Sequence, residues 1–370
     1  MDLPKETFLP QKIIFGKDSA SRIPGESLEF GERGLIVHGR SLEKNGMKEK
    51  ILGGFSPSAK IGAFCRSGGE PTLDEISRVI EKARALEAGW IAGIGGGSVL
   101  DLAKASAGLF KAGEKPSFYQ EGGLLEEKGI PFIAVPTTCG TGSEATINSV
   151  IINSEKKVKL SIRDESFLAR KVILDAGLLE GIPPRVMSYA AMDAFVQAYE
   201  SFISKNASWF SESFALKAMG LIDRNIQEAY DSGAEEKLSP LLLGSFFAGI
   251  ALASSRLGVI HGIAHPLGAL YGLPHGLLCS LCFIPSVKLN REAMGKKYDI
   301  MSEVLGKDLL ERIEELLASF EISTPFREKE FAEKEKIIEQ TLTSGSTAAN
   351  PKKVERKDVE FLLEEMTDEG

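Results

Sequence analysis

The chain has 370 residues, 43% of them hydrophobic and 26% charged, with a formal net charge of −8. These values fit a soluble globular protein of about two domains at roughly 150 residues each, and they exclude collagenous, mucin-like and disordered classes. The acid excess removes any general electrostatic reason to bind nucleic acid or an anionic membrane.

In chain order, 34–38 reads as a strand, 41–52 as a helix and 60–64 as a second strand. Residues 72–88 predict a helix, because Leu73, Ile76, Ile80, Ala83 and Ala85 recur at close to the 3.6-residue period. A strand at 90–94, a helix at 99–107 and strands at 130–135 and 171–174 follow. Strands alternating with helices predict an α/β N-terminal domain with a mainly parallel sheet over 1–181. Past Gly181 the pattern becomes helical throughout, with Pro184 at a first-turn position where its missing N–H costs nothing. Helices are predicted at 185–204, 211–230, 238–255, 298–304, 308–320, 331–341 and 354–365, which makes 182–370 an all-α C-terminal domain.

One stretch, 257–287, holds 31 residues without Asp, Glu, Lys or Arg. Its length would span a membrane, but three prolines and five glycines break it into short helices and turns. It reads as a buried segment lining a site. Four cysteines, Cys65, Cys139, Cys279 and Cys282, are too few for a disulfide framework. The N-terminal MDLPKETFLPQK lacks the basic start and apolar core of a signal peptide, which predicts a cytoplasmic location.

Two loops carry ligand-binding chemistry. Gly96, Gly97 and Ser98 follow a strand and open a helix, where free N–H groups and the helix dipole favour an anion. Ser98 is the expected N-cap there, with Asp101 three residues on in a box-like arrangement. A structural turn explains such a motif about as well when it stands alone. A second loop, 136–144, puts Thr137, Thr138 and Thr141 among glycines at a strand's carboxyl end, where open α/β sheets bind ligands. After the first strand, Gly39, Arg40 and Ser41 offer no acid for a ribose 2′-OH but do offer an arginine for a 2′-phosphate, which leans toward NADP over NAD.

Three of the four histidines, His261, His265 and His275, fall within 15 residues. Asp193 and Gln197 sit four apart, on one face of a predicted helix. Two imidazoles, a carboxylate and one more oxygen donor suit a divalent metal such as Fe²⁺ or Zn²⁺. The lone C-x-x-C of Cys279 and Cys282 reads as two small apolar residues one helical turn apart.

Four segments then carry a resemblance: GIGGGSVLDLAKA (93–105), PTTCGTGSEATINSVI (136–151), MDAFVQAYES (192–201) and HGIAHPLGALYGLPHG (261–276). Through them the chain resembles the group III, iron-containing alcohol dehydrogenases of the dehydroquinate synthase-like superfamily. The resemblance implies an N-terminal dinucleotide-binding domain, an all-helical second domain and an active site in the cleft. It implies metal-assisted hydride transfer between NAD(P) and a small alcohol or aldehyde, in a homodimer or larger homo-oligomer. Gly96, Gly97, Ser98 and Asp101 would hold the cofactor pyrophosphate. Thr137, Thr138, Thr141 and Thr146 would line the nucleotide site, with Lys159 close by. Asp193, His261 and His275 match metal ligands, and His265 matches a histidine of the proton relay. Gln197 departs from the family's D-x-x-x-H pattern, in which a histidine is the fourth ligand. The metal is then held by Asp193, Gln197, His261 and His275, or by three residues and water, or is lost as in maleylacetate reductase-like relatives. A dehydroquinate synthase-like lyase needs basic residues around a substrate phosphate, and 257–287 has none. A cofactor-binding protein without catalysis is the third reading.

Overall fold

A computed structural model describes residues 6–44, 46–156, 158–326 and 331–367. The chain divides into two compact units, one over Phe8–Glu180 and one from Gly181 onward.

The first unit is built on a six-stranded parallel sheet. Its strands are β1 (Lys12–Phe15), β2 (Arg33–Gly39), β3 (Lys60–Arg66), β4 (Trp90–Gly95), β5 (Phe132–Pro136) and β8 (Lys171–Leu174), in the order β1-β8-β5-β4-β2-β3. All six residues of β4 are buried, as expected of a strand covered on both faces. The order of strand addition reverses between β2 and β4: β3 lies outside β2, and β4 returns to its other side. The carboxyl ends of β2 and β4 therefore flank a switch point, the usual ligand position in such sheets. Gly34 is required beside Trp90, since a Cβ there would lie 2.1 Å from the indole.

Helix α1 (Leu73–Ala85) starts with a full capping box, Thr72 and Glu75 exchanging side-chain and backbone bonds. Helix α2 (Gly97–Gly108) follows β4. Two local readings need correction, and two elements are additional to those the sequence predicts. The helix expected at 41–52 is two short pieces, Arg40–Lys44 and Met47–Leu52, because Gly46 adopts a left-handed φ of 69° between them; Asn45 lies outside the described residues. The cap of α2 is Gly96, without a side-chain bond, so Ser98 lies inside the helix and its box with Asp101 does not form. Strand β1 was not anticipated. Nor was the antiparallel hairpin β6 (Asn148–Asn153) and β7 (Val158–Arg163), which leaves the parallel sheet altogether.

The second unit is helical: α3 (Pro184–Ile203), α4 (Trp209–Ser232), α5 (Glu235–Ser255), α6 (Val259–Tyr271), α7 (His275–Leu281), α8 (Phe283–Met294), α9 (Lys296–Leu305), α10 (Leu309–Ser319), α11 (Lys334–Thr343) and α12 (Arg356–Thr367). The segment 257–287 breaks into α6, α7 and the start of α8, as its prolines and glycines predict. Helix α5 is long and apolar enough to cross a membrane, but 61% of its apolar window is buried inside the unit, against α3 and α4. That is the pattern of a core helix.

Candidate functional site

In the first unit, the two predicted loops meet. A Cβ on Gly97 would lie 2.6 Å from Thr141 Cγ2, and one on Gly96 would lie 3.3 Å from Thr138 Cγ2. Glycine is thus what lets the start of α2 pack against the second loop. Thr137 N–H donates to Gly95 O at 3.0 Å, tying the loop to the end of β4. Gly39 lies beside Val99 of α2, and Arg40 and Ser41 are exposed. Gly39, Gly96, Gly97, Ser98, Thr137, Thr138 and Thr141 therefore share one end of the sheet, where the N–H groups opening α2 have no acceptor within the helix.

Asp101 and Thr146 turn inward. Ser143 Oγ donates to Asp101 Oδ1 at 2.5 Å and Val150 N–H to Oδ2 at 2.9 Å. Both carboxylate oxygens thus accept from the second loop and the hairpin, so Asp101 helps hold these segments against α2. A residue not singled out in the sequence organises this region. Lys104 is fully buried and donates to Ser143 O, Ser143 Oγ, Thr146 Oγ1 and Asn148 O at 2.6–2.9 Å. Burial lowers its pKa. Lys159, on the hairpin, pairs with Glu70 at 2.7 Å.

Next to this network, Glu144 is buried with Oε1 lacking a hydrogen-bond partner. Burial pushes its pKa up from 4.5 to about 7. Below pH 4.5 the carboxyl is protonated folded or unfolded and has no effect on stability. As pH rises through that window, the unfolded chain ionises while the folded chain holds its proton, so stability falls, by about 3 kcal/mol above pH 7. Glu144→Gln removes this dependence. Urea denaturation should show the variant gaining on the wild type between about pH 5 and pH 8. A gap that does not change with pH would mean that the folded carboxyl ionises normally.

In the second unit, three helices converge. Asp193, Gln197 and Glu200 line one face of α3, His261 and His265 come from α6, and His275 and Cys279 from α7. Asp193 Oδ1 lies 3.3 Å from His261 Nε2 and 3.8 Å from His275 Nε2. The two imidazoles hold the Asp193 carboxyl below its usual range, against the opposing effect of burial. Asp193 Oδ1 and Gln197 Oε1 are both buried and accept no hydrogen bond. His265 is half-buried, its ring stacked on His275 with centroids 5.3 Å apart.

Two members of this group escaped the sequence reading. Glu200, fully buried, accepts from His261 Nδ1 at 2.6 Å and from Ile260 N–H at 2.6 Å. It thereby caps the start of α6 and turns His261 Nε2 toward Asp193. Its signal was present: Glu200 stands one turn beyond Gln197 on the same face. Cys279 was read as a small apolar residue. Its Sγ in fact lies 3.6 Å from His275 Nε2 and 4.0 Å from His261 Nε2, and burial raises its pKa to about 12. The signal was its i+4 spacing from His275.

The glycines of this region set the helix approach. A Cβ on Gly276 would lie 2.1 Å from Tyr189 O of α3, and one on Gly262 would lie 1.9 Å from Thr347 Oγ1. Each directly follows one of the clustered histidines; the close approach at Gly276 sets α7, with His275, against α3, and the one at Gly262 sets α6, with His261, against Thr347.

A parallel sheet with a glycine loop at its switch point, and a helical unit with a buried carboxylate–imidazole cluster, are the features of an enzyme that uses a dinucleotide and a divalent metal. Residues 10–176 match the family "Iron-containing alcohol dehydrogenase", and residues 187–367 match "Fe-containing alcohol dehydrogenase family, C-terminal". The sulfoacetaldehyde reductase of Bilophila wadsworthia is 33% identical over 80% of this chain and 78% of its own. The NADPH-dependent butanol dehydrogenase of Clostridium saccharobutylicum is 27% identical over 96% of each chain. The solved structure of the iron-containing alcohol dehydrogenase of Thermococcus thioreducens superposes with a TM-score of 0.88, at 26% identity, over 98% of this chain and 99% of its own. The chain belongs to the iron-containing alcohol dehydrogenase family, whose members use NAD(P) and a divalent metal. It is an NAD(P)-dependent oxidoreductase of small alcohols and aldehydes.

Proposed function

We propose that the chain is an NADP-preferring, metal-dependent reductase of short aldehydes that also runs in the alcohol-oxidising direction. In this reading residues 1–181 bind the dinucleotide and residues 182–370 bind metal and substrate. Gly96, Gly97 and Ser98 present backbone N–H groups to the pyrophosphate, and Thr137, Thr138 and Thr141 line the same pocket. Asp101, Lys104 and Thr146 keep these loops in place, with Lys159 on the neighbouring hairpin. Arg40, beside Gly39 and Ser41, meets the 2′-phosphate. Asp193, His261 and His275 hold the cation, with Glu200 orienting His261. When bound, a divalent cation polarises the substrate oxygen as a Lewis acid and the nicotinamide gives or takes the hydride. His265 carries the hydroxyl proton at its ring nitrogen, since an imidazole titrates near neutral pH. A homodimer or larger assembly in the cytoplasm completes the reading, supported by the family resemblance.

The observation that carries this reading is Asp193 Oδ1: buried, without a hydrogen-bond donor, and facing two imidazole nitrogens at 3.3 and 3.8 Å. An anionic acceptor so placed suits a cation. The test is NADPH oxidation by the Zn²⁺- or Fe²⁺-loaded protein with a panel of short aldehydes and ketones. Turnover is expected, and Arg40→Ala should raise KM for NADPH about tenfold while leaving that for NADH nearly unchanged, the loss of one charge-assisted contact. No turnover across the panel with metal bound overturns the function, and equal effects on both cofactors overturn the NADP preference.

A further inference from the structure

We infer that Cys279 Sγ is the fourth protein ligand of the metal site, in the role that the sequence pattern gives to Gln197. This rests on the metal reading above and adds a ligand to it.

The argument is geometric. A tetrahedral centre with bonds of about 2.0–2.3 Å separates nitrogen or oxygen donors by about 3.3 Å, and nitrogen from sulfur by about 3.6 Å. The described cluster has edges close to these: 3.3 Å for Asp193 Oδ1 to His261 Nε2 and 3.8 Å to His275 Nε2. Sulfur lies 3.6 Å from His275 Nε2 and 4.0 Å from His261 Nε2. One atom from each of the four residues lies within 4.8 Å of every other. Four donors already spaced around one point need little rearrangement to receive a cation.

The surroundings agree. Cys279 is fully buried, and Asp193 and His261 nearly so. His261 has its other ring nitrogen committed to Glu200, the arrangement that directs a ligating imidazole. His275 and Cys279 are one turn apart on α7, so a single helix delivers nitrogen and sulfur to the same side of the site. A thiolate is also a stronger and softer donor than an amide carbonyl, and it shifts the preference of the site toward Zn²⁺ and Co²⁺.

The experiment is cobalt substitution. Co²⁺ bound to a thiolate gives a sulfur-to-metal charge-transfer band in the near ultraviolet that nitrogen and oxygen ligands do not give. A Cys65→Ser background is used throughout, because exposed Cys65 clusters with His38 and Glu43 in the other unit. The expected result is one bound Co²⁺ with the thiolate band, retained in Gln197→Ala and lost in both Cys279→Ser and Cys279→Ala. Zinc affinity, read by chelator competition, should fall about tenfold or more in the Cys279 variants, at least what losing an outer-shell partner costs. Bound cobalt without the band overturns Cys279 as a ligand and leaves the metal reading standing. The absence of bound cobalt in the parent protein overturns both. Since the parent spectrum decides by itself, a Cys279 variant that fails to fold does not weaken the test.

Discussion

Replacing Glu200 with alanine should release the metal and loosen the helical unit together. The carboxylate is fully buried and satisfies two donors at 2.6 Å each, His261 Nδ1 and Ile260 N–H. Alanine leaves both buried donors without a partner. Breaking a buried charged pair in this way costs about 3–5 kcal/mol. It also frees His261 to rotate, and the loss of such an orienting partner lowers metal affinity about 10–100-fold. Glu200→Gln keeps one acceptor oxygen and should fall between the wild type and the alanine variant. Chelator competition measures the first effect and thermal or urea unfolding the second. Wild-type affinity in Glu200→Ala would show that His261 is held by its packing alone.

The second large effect is expected at Gly276. A Cβ there meets the backbone oxygen of Tyr189 at 2.1 Å, and a backbone atom in a helix has nowhere to go. Gly276→Ala must push α7 away from α3. Overpacking of this kind costs about 1–3 kcal/mol or more. The displacement acts on the preceding residue, His275, which lies 3.8 Å from Asp193 Oδ1. Metal affinity should therefore drop with stability. Gly268→Ala in α6 is the matched control. Its Cβ would have Leu278 Cδ1 as nearest neighbour, at 3.5 Å, an ordinary contact. Removing a helix-interior glycine there should be neutral or stabilising by up to about 1 kcal/mol. If both variants bind metal as the wild type does, the glycine after His275 has no part in building the site.

Both predictions turn on residues that act through a neighbour, and the sequence treated such residues unevenly. Glycines at 96 and 97 were legible because a strand, a glycine run and a helix in succession have few other uses. Their role in admitting Thr138 and Thr141 was not, since it depends on a loop some forty residues away. Asp101 looked like part of a helix cap. Its bonds to Ser143 and Val150 come from the second loop and the hairpin, and neither contact has a local signature. Lys104 was invisible for the same reason: in a pattern of small apolar residues it reads as a solvated charge, and only the fold closes four acceptors around it.

Periodicity by itself determined the alternating α/β half, the helical half and the change near Gly181, because burying one face of a strand or helix writes its period into the chain. Composition and spacing also singled out His261 and His275, in a segment free of charge, and Asp193 on the helix that opens the second half. What only the tertiary structure decided is what surrounds them. Cys279 and Glu200 have ordinary local explanations, a small apolar residue and a charged turn of helix. Three helices packed at close range put Sγ 3.6 Å from one imidazole and a carboxylate 2.6 Å from another. Distances of that kind arise between elements far apart in the chain, and local periodicity carries no record of them.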